Sequence, residues 1–194
     1  VLQCPYLYEK AKLVVREMAE AVSLDLLEKG LVTNQIELTI GYDRENVDSG
    51  RYHGETKTDM YGRQIPKHAH GTANLRRQTS STKLITEAIM ELYAKCVDPK
   101  LTIRRITIGA NKLVEESTAE TLEVPVQLDL FTDYAALEKQ EQEEEAALEK
   151  ERKIQEAVLG IKQKFGKNAI LKASSLEEGA TAKERNNQIG GHKA

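Results

Sequence analysis

Apolar residues recur at three- and four-residue steps from Leu7 through Ala11, Val14, Val15, Met18 and Val22 to Leu26. That spacing predicts an amphipathic helix with one buried stripe. Pro5 suits its first turn, and Gly30 suits its stop. From Gln35 to Tyr42 the period changes to two, with Ile36, Leu38 and Ile40 on one face, which predicts a half-buried strand. Both periods vanish over residues 43–68, where Gly50, Gly54, Gly62 and Pro66 sit among polar groups. This stretch reads as a flap, with strand-like pieces around Arg51–His53 and Lys57–Tyr61. So long a connection inside a compact domain is usually functional or mobile. Alternation returns over Ala69–Gln78, with Thr72, Asn74 and Arg76 on one face and Ala73, Leu75 and Arg77 on the other. Thr79, Ser80 and Ser81 offer N-caps for a second helix. Its stripe is Leu84, Ile85, Ala88, Ile89, Leu92, Tyr93 and Cys96, and Asp98-Pro99 ends it. Leu101–Gly109 predicts a third strand whose phase slips between Ile103 and Ile106, so a bulge is expected near Arg104 and Arg105.

The resulting order is helix, strand, flap, strand, helix, strand. Two amphipathic helices need one shared sheet face to cover. The expected architecture is therefore an α+β domain over residues 1–114, with an antiparallel or mixed sheet of about four strands and both helices on one face. The other face would be open and polar, carrying Gln35, Thr39, Thr72, Asn74, Arg76, Thr102 and Arg104. Glu37 falls in phase with that set and would put an acid on it.

Residues 115–133 read as an acidic linker, interrupted by Gln127-Leu128-Asp129-Leu130-Phe131. Residues 134–194 read as a helical extension. Tyr134–Lys164 is one long helix, solvated or docked on a partner, with Glu149–Lys153 a favourable pair four residues apart. After Gly166 few apolar groups remain, so this tail is expected to order only against another surface. The 30% of charged residues fits so long a solvated element.

Charge and cysteine usage narrow the class. The net charge of −3 conceals an asymmetry. Residues 51–112 hold twelve bases against five acids, and no acid lies between Asp59 and Glu87. That window contains Arg63, Lys67, Arg76, Arg77 and Lys83 with His68 and His70, a charge pattern suited to phosphates. The alternative is a merely solvated basic surface. No run of 18 apolar residues exists, so no membrane span is expected. Cys4 and Cys96 show no paired spacing, which fits a reducing cytoplasm. The start lacks both a signal-peptide pattern and an initiator Met, as a segment of a longer chain would. His53, His68, His70 and Cys96 supply one His-x-His but no second ligand pair at zinc spacing, so surface or strand-edge histidines are the simpler account. No nucleophile constellation stands out, because helix capping accounts for the Ser and Thr cluster.

Gln127–Phe131 is the sharpest motif. Leu130 and Phe131 are two apolar anchors, Gln127 can fix register by side-chain hydrogen bonds, and Leu128 can cover the rim. Such a cluster has little reason to sit in a linker unless something buries it; packing back on its own domain is the alternative. The pentapeptide resembles the sliding-clamp-binding motif of bacterial replication and repair proteins. Val1-Leu2-Gln3, Gly41-Tyr42 and Thr79-Ser80-Ser81-Thr82 resemble the little finger domain of Y-family translesion DNA polymerases. The run Tyr61–Thr72 and the ending Ile189–Ala194 are similar to UmuC-like (impB/mucB/samB type) enzymes of Gram-positive bacteria.

That resemblance covers nearly the whole chain and implies a part in DNA damage repair and the SOS response. It implies a little finger, a clamp motif and a tail, with the catalytic palm and its magnesium lying outside this segment. The segment itself would then not polymerise DNA and would need no cofactor. It would hold a damaged template–primer duplex on its open face and reach the sliding clamp through Gln127, Leu128, Asp129, Leu130 and Phe131. The phosphate contacts would come from Arg76, Arg77, Lys83, Arg104 and Arg105, with Lys67 from the flap. Thr72, Asn74, Thr79 and Ser81 would add hydrogen bonds, as would backbone N–H groups at the second helix start. The rival reading is a protein-interaction module whose linker and helical tail recruit other repair proteins, the basic face being incidental.

Overall fold

A computed structural model describes residues 1–50, 52–119, 134–189 and 192–193. Helix α1 (Tyr8–Glu28) leads into strand β1 (Leu31–Tyr42), the centre of the sheet. Strand β4 (Ala69–Thr79) lies antiparallel to one side of it and β5 (Ile103–Asn111) to the other. Short β6 (Val114–Glu115) adds to the start of β1. Between β4 and β5 runs α3 (Thr82–Cys96). The α+β architecture, with a four-stranded antiparallel sheet under two helices, is the one the periodicities predict.

Burial follows the alternation. Ile36, Leu38 and Ile40 of β1 are fully buried against Ala11, Val14 and Val15 of α1 and Ile85, Ile89 and Tyr93 of α3. Helix α3 approaches β4 closely at Gly71, where a Cβ would meet Leu92 Cδ1 at 2.8 Å and Cys96 Sγ at 2.9 Å. Tyr93 donates its hydroxyl to the Tyr8 carbonyl oxygen at 2.8 Å and packs its ring against that of Tyr8.

Two local expectations move. Pro5 lies not in the first turn of α1 but in an extended entry segment. There Leu2 N–H donates to Arg104 O, and Tyr6 and Ile103 exchange backbone hydrogen bonds, which covers the free edge of β5. The second expectation concerns the flap. Its strands are β2 (Thr56–Thr58) and β3 (Gln64–Pro66), preceded by a single-turn helix α2 (Glu45–Asp48). Asn46 anchors this region: its amide donates to Asp43 O and Thr102 O and accepts from Thr102 N–H. Thr102 is thereby drawn to α2 rather than to the open face.

The C-terminal extension docks on the domain. Helix α4 (Glu116–Ala119) closes the first part, and α5 (Tyr134–Phe165) begins the second. Residues 139–147 of α5 are exposed, whereas Gln155 is buried, donating to Ser80 O and Thr82 Oγ1. The Glu149–Lys153 pair forms at 2.8 Å. The tail holds a 3-10 turn (Ala173–Leu176), α6 (Ala182–Asn186) and a β7–β8 hairpin (Gln188–Ile189, His192–Lys193), and residues 172–185 of it lie along α1. Glu17 of α1, only 5% exposed, accepts from the backbone N–H groups of Thr181 and Ala182. Lys10–Glu178 and Lys172–Glu20 flank it. The surface that orders the tail is the protein's own first helix, and Glu17 as its clasp carries no signal in the sequence, where it looks like one more solvated acid.

Candidate nucleic-acid interface

Register fixes which side chains share the open face. Gln35 pairs with Asn74 and Asn111, Glu37 with Thr72 and Gly109, Thr39 with His70 and Thr107, and Gly41 with Arg105. These side chains point away from the helices, because their neighbours Ile36, Leu38 and Ile40 are the buried ones. Hydrogen bonds tie the rows together: Gln35 Nε2 to Asn74 Oδ1 at 2.8 Å, and Thr39 Oγ1 with His70 Nδ1 at 3.0 Å. Glu37 does sit on this face. It accepts from Asn111 Nδ2 at 3.2 Å, and its carboxylate lies 3.7 Å from His70. A central acid held by two neighbours leaves phosphate contacts to the periphery.

The arginines divide by phase. The bulge expected near Arg104 is present, with Gly41 opposite Arg105 but Tyr42 opposite Ile103. Arg104 is the residue squeezed out. Its carbonyl takes the entry segment, and its guanidinium lies 4.0 Å from Asp43. Arg105 therefore holds the open-face position that simple alternation assigns to Arg104, and a Cβ on Gly41 would come within 3.1 Å of it. A second irregularity, between Thr33 and Gln35 in the pairing with β4, lets both Arg76 and Arg77 be exposed, although alternation sends Arg77 inward. Among the described residues Arg76, Arg77, Lys83 and Arg105 have no ion-pair partner. Lys67 pairs with Glu55 at 2.6 Å.

The start of α3 is a correction. Thr79 and Ser81 are buried and engaged internally: Thr79 Oγ1 accepts from Ser81 N–H, and Ser81 Oγ accepts from Leu84 N–H. The helix N-terminus already holds an anion, the Glu151 carboxylate of α5, which accepts from Ser81 Oγ at 2.6 Å and Lys83 N–H at 2.8 Å. A helix N-terminus favours negative charge whichever group supplies it. Arg152 joins this contact through a two-pronged pair with Glu116 at 2.6 and 2.9 Å. Lys83 itself projects on the helix side, lining a cavity of about 560 Å³ between α1, α3, α5 and the tail. Glu151→Ala is expected to lower stability by about 1 kcal/mol, as loss of a helix cap does; urea unfolding measures it, and an unchanged midpoint would show the cap to be redundant.

A family model, the impB/mucB/samB family C-terminal domain, matches residues 6–130. The chain belongs to that family. It is the C-terminal part of a UmuC-like Y-family polymerase, the class of DNA repair polymerases that its motifs resemble. No curated protein matches the chain. In this impB/mucB/samB C-terminal domain the match takes in the whole sheet and both covering helices and reaches into the linker. The Gln127–Phe131 motif lies outside the described residues. No described helix is long and apolar enough to cross a membrane. Among the described residues no three of His, Cys, Asp and Glu gather as a metal-holding group.

Proposed function

We propose that this domain grips template–primer duplex by its phosphates through the open sheet face and is tethered to a bacterial sliding clamp by Gln127–Phe131. The parent polymerase would act in translesion synthesis in the cytoplasm, its palm carboxylates and magnesium supplied outside residues 1–194. The observation that carries the grip is a polar sheet face, uncovered by any described element, with unpaired Arg76 and Arg105 at opposite corners. Strand rise and spacing put those corners on the order of 20 Å apart, more than the ~12 Å width of a B-DNA major groove. Thr72, Asn74 and Thr107 between them can donate hydrogen bonds to backbone oxygens. The amides that could read base edges are tied to neighbours on the face, Gln35 to Asn74 and Asn111 to Glu37, so binding would depend on salt rather than sequence.

The test is titration of labelled primer–template at several salt concentrations with the full chain and with Arg76→Glu/Arg105→Glu. The double variant is expected to lose about a hundredfold in affinity, and its log-affinity against log-salt slope to shallow by about two, one for each lost phosphate contact. Unchanged affinity would sink the sheet-face reading. The rival reading, a module that recruits repair proteins, draws support from the exposed stretch 139–147 of α5. It requires that wild type show no salt-dependent duplex binding.

A further inference from the structure

The flap hairpin ends in two of the most exposed apolar side chains of the described residues, Met60 at 88% and Tyr61 at 74%. The turn that carries them is built rather than loose. Asp59 Oδ1 accepts from Tyr61 N–H at 2.8 Å and Arg63 N–H at 3.0 Å, while Oδ2 accepts from Arg63 Nε at 2.8 Å. Asp59 N–H donates back to Arg63 O, and Gly62, at φ +77°, makes the left-handed step a side chain would resist. The Arg63 side chain, then the backbone donors, hold the Asp59 carboxyl down at about 2, so the clasp stays ionised at any physiological pH. The Asp59 carboxylate and the N–H groups of Tyr61, Gly62 and Arg63 are paired within the turn, and its apolar groups face solvent. The Arg63 guanidinium covers one side of the Tyr61 ring, 4.8 Å from its centroid.

The surroundings are cationic. Lys57 and Lys67 flank the hairpin, and burial together with Lys57, His70 and Lys67 pushes the His68 imidazole below its ordinary value, towards the neutral form. His70 in turn reaches Thr39 on the open sheet face. A hydrogen-bonding track thus runs from the hairpin to the proposed duplex surface, with Lys57 outside any ion pair among the described residues. The only acids on the hairpin, Glu55 and Asp59, are both paired to bases.

We propose that Tyr61, backed by Arg63 and wedged by Met60, is a stacking platform for an unpaired nucleobase of the template strand. An aromatic ring braced on one side and open on the other, in a basic setting, suits a π-face with phosphates beside it. An apolar wedge beside it matches side chains that separate base steps. This rests on the duplex-binding reading above and adds to it a contact beyond the paired region.

The experiment compares two labelled DNAs at one salt concentration: a primer–template with a single-stranded 5′ overhang, and the blunt duplex of the same paired length. The full chain, Tyr61→Ala, Tyr61→Phe and Arg76→Glu/Arg105→Glu are titrated against both. Tyr61→Ala is expected to lose about tenfold on the overhang substrate and less than twofold on the blunt one. Tyr61→Phe should bind as wild type does, and the salt slope should stay unchanged. Equal binding by wild type and Tyr61→Ala, with the arginine variant still impaired, would overturn the platform and leave the sheet-face grip standing. Equal loss on both DNAs would also overturn it, since no unpaired base would then be involved. No DNA binding by wild type would overturn both readings and leave a protein pocket as the occupant of the tip.

Discussion

Leu130→Ala/Phe131→Ala is expected to weaken binding of the chain to a bacterial sliding clamp by at least a hundredfold, with duplex affinity unchanged. Burying one large apolar side chain contributes about 1.5–3 kcal/mol, and short docking peptides concentrate their energy in a few such anchors. Two anchors together therefore amount to more than two powers of ten. Gln127→Ala should cost less, about tenfold, because the clamp groups that lose the amide can return to water. The two functions should separate because Gln127–Phe131 and the sheet-face arginines are different segments of the chain. A bound clamp would raise the local concentration of DNA at the sheet. Immobilised clamp, probed first with wild type and then with the double variant, reads the loss; undiminished capture would remove Leu130 and Phe131 from the anchor role.

Tyr93→Ala is expected to destabilise the fold by about 3–5 kcal/mol, the range for deleting a buried aromatic side chain. Tyr93 is fully buried, touches Tyr8 at a ring separation of 4.7 Å, and donates to the Tyr8 carbonyl at 2.8 Å. It joins α3 to the first turn of α1, so its loss opens a cavity at the contact between the two helices. Burial pushes its phenol far above the ordinary value, so the hydroxyl remains a donor across the accessible pH range. Tyr93→Phe isolates the hydrogen bond and should cost about 1 kcal/mol. Urea unfolding separates the two variants. Similar midpoints for both would mean that the hydroxyl, rather than the ring, carries the residue's contribution.

The helices, the strands and the buried face of the sheet were legible in the order of residues, because a period of 3.6 or 2 is a local property. Ile36, Leu38 and Ile40 need no distant partner to declare their common face, and the slip between Ile103 and Ile106 announces a bulge by itself. Asp59 and Arg63 lie close enough in sequence for their clasp to follow from the turn, although no period or spacing marks the exposed Met60 and Tyr61 beside them as a site. Which arginines face outward was not legible in the same way. One extra residue at a bulge moves every later side chain by a face, so Arg105 rather than Arg104 lies opposite Gly41, and Arg77 turns out to solvent. The fate of Thr79 and Ser81 was further still from view.

Their burial depends on Glu151, Arg152 and Gln155, some seventy residues downstream, and on a tail clasped by Glu17. The sequence by itself determined an α+β domain with a polar sheet face and a long helix after it, since each rests on neighbours within a few residues. Only the tertiary structure decided which polar groups remain free on that domain. A carboxylate and a helix N-terminus attract each other wherever in the chain they originate, and only the folded chain brings Glu151 to the start of α3.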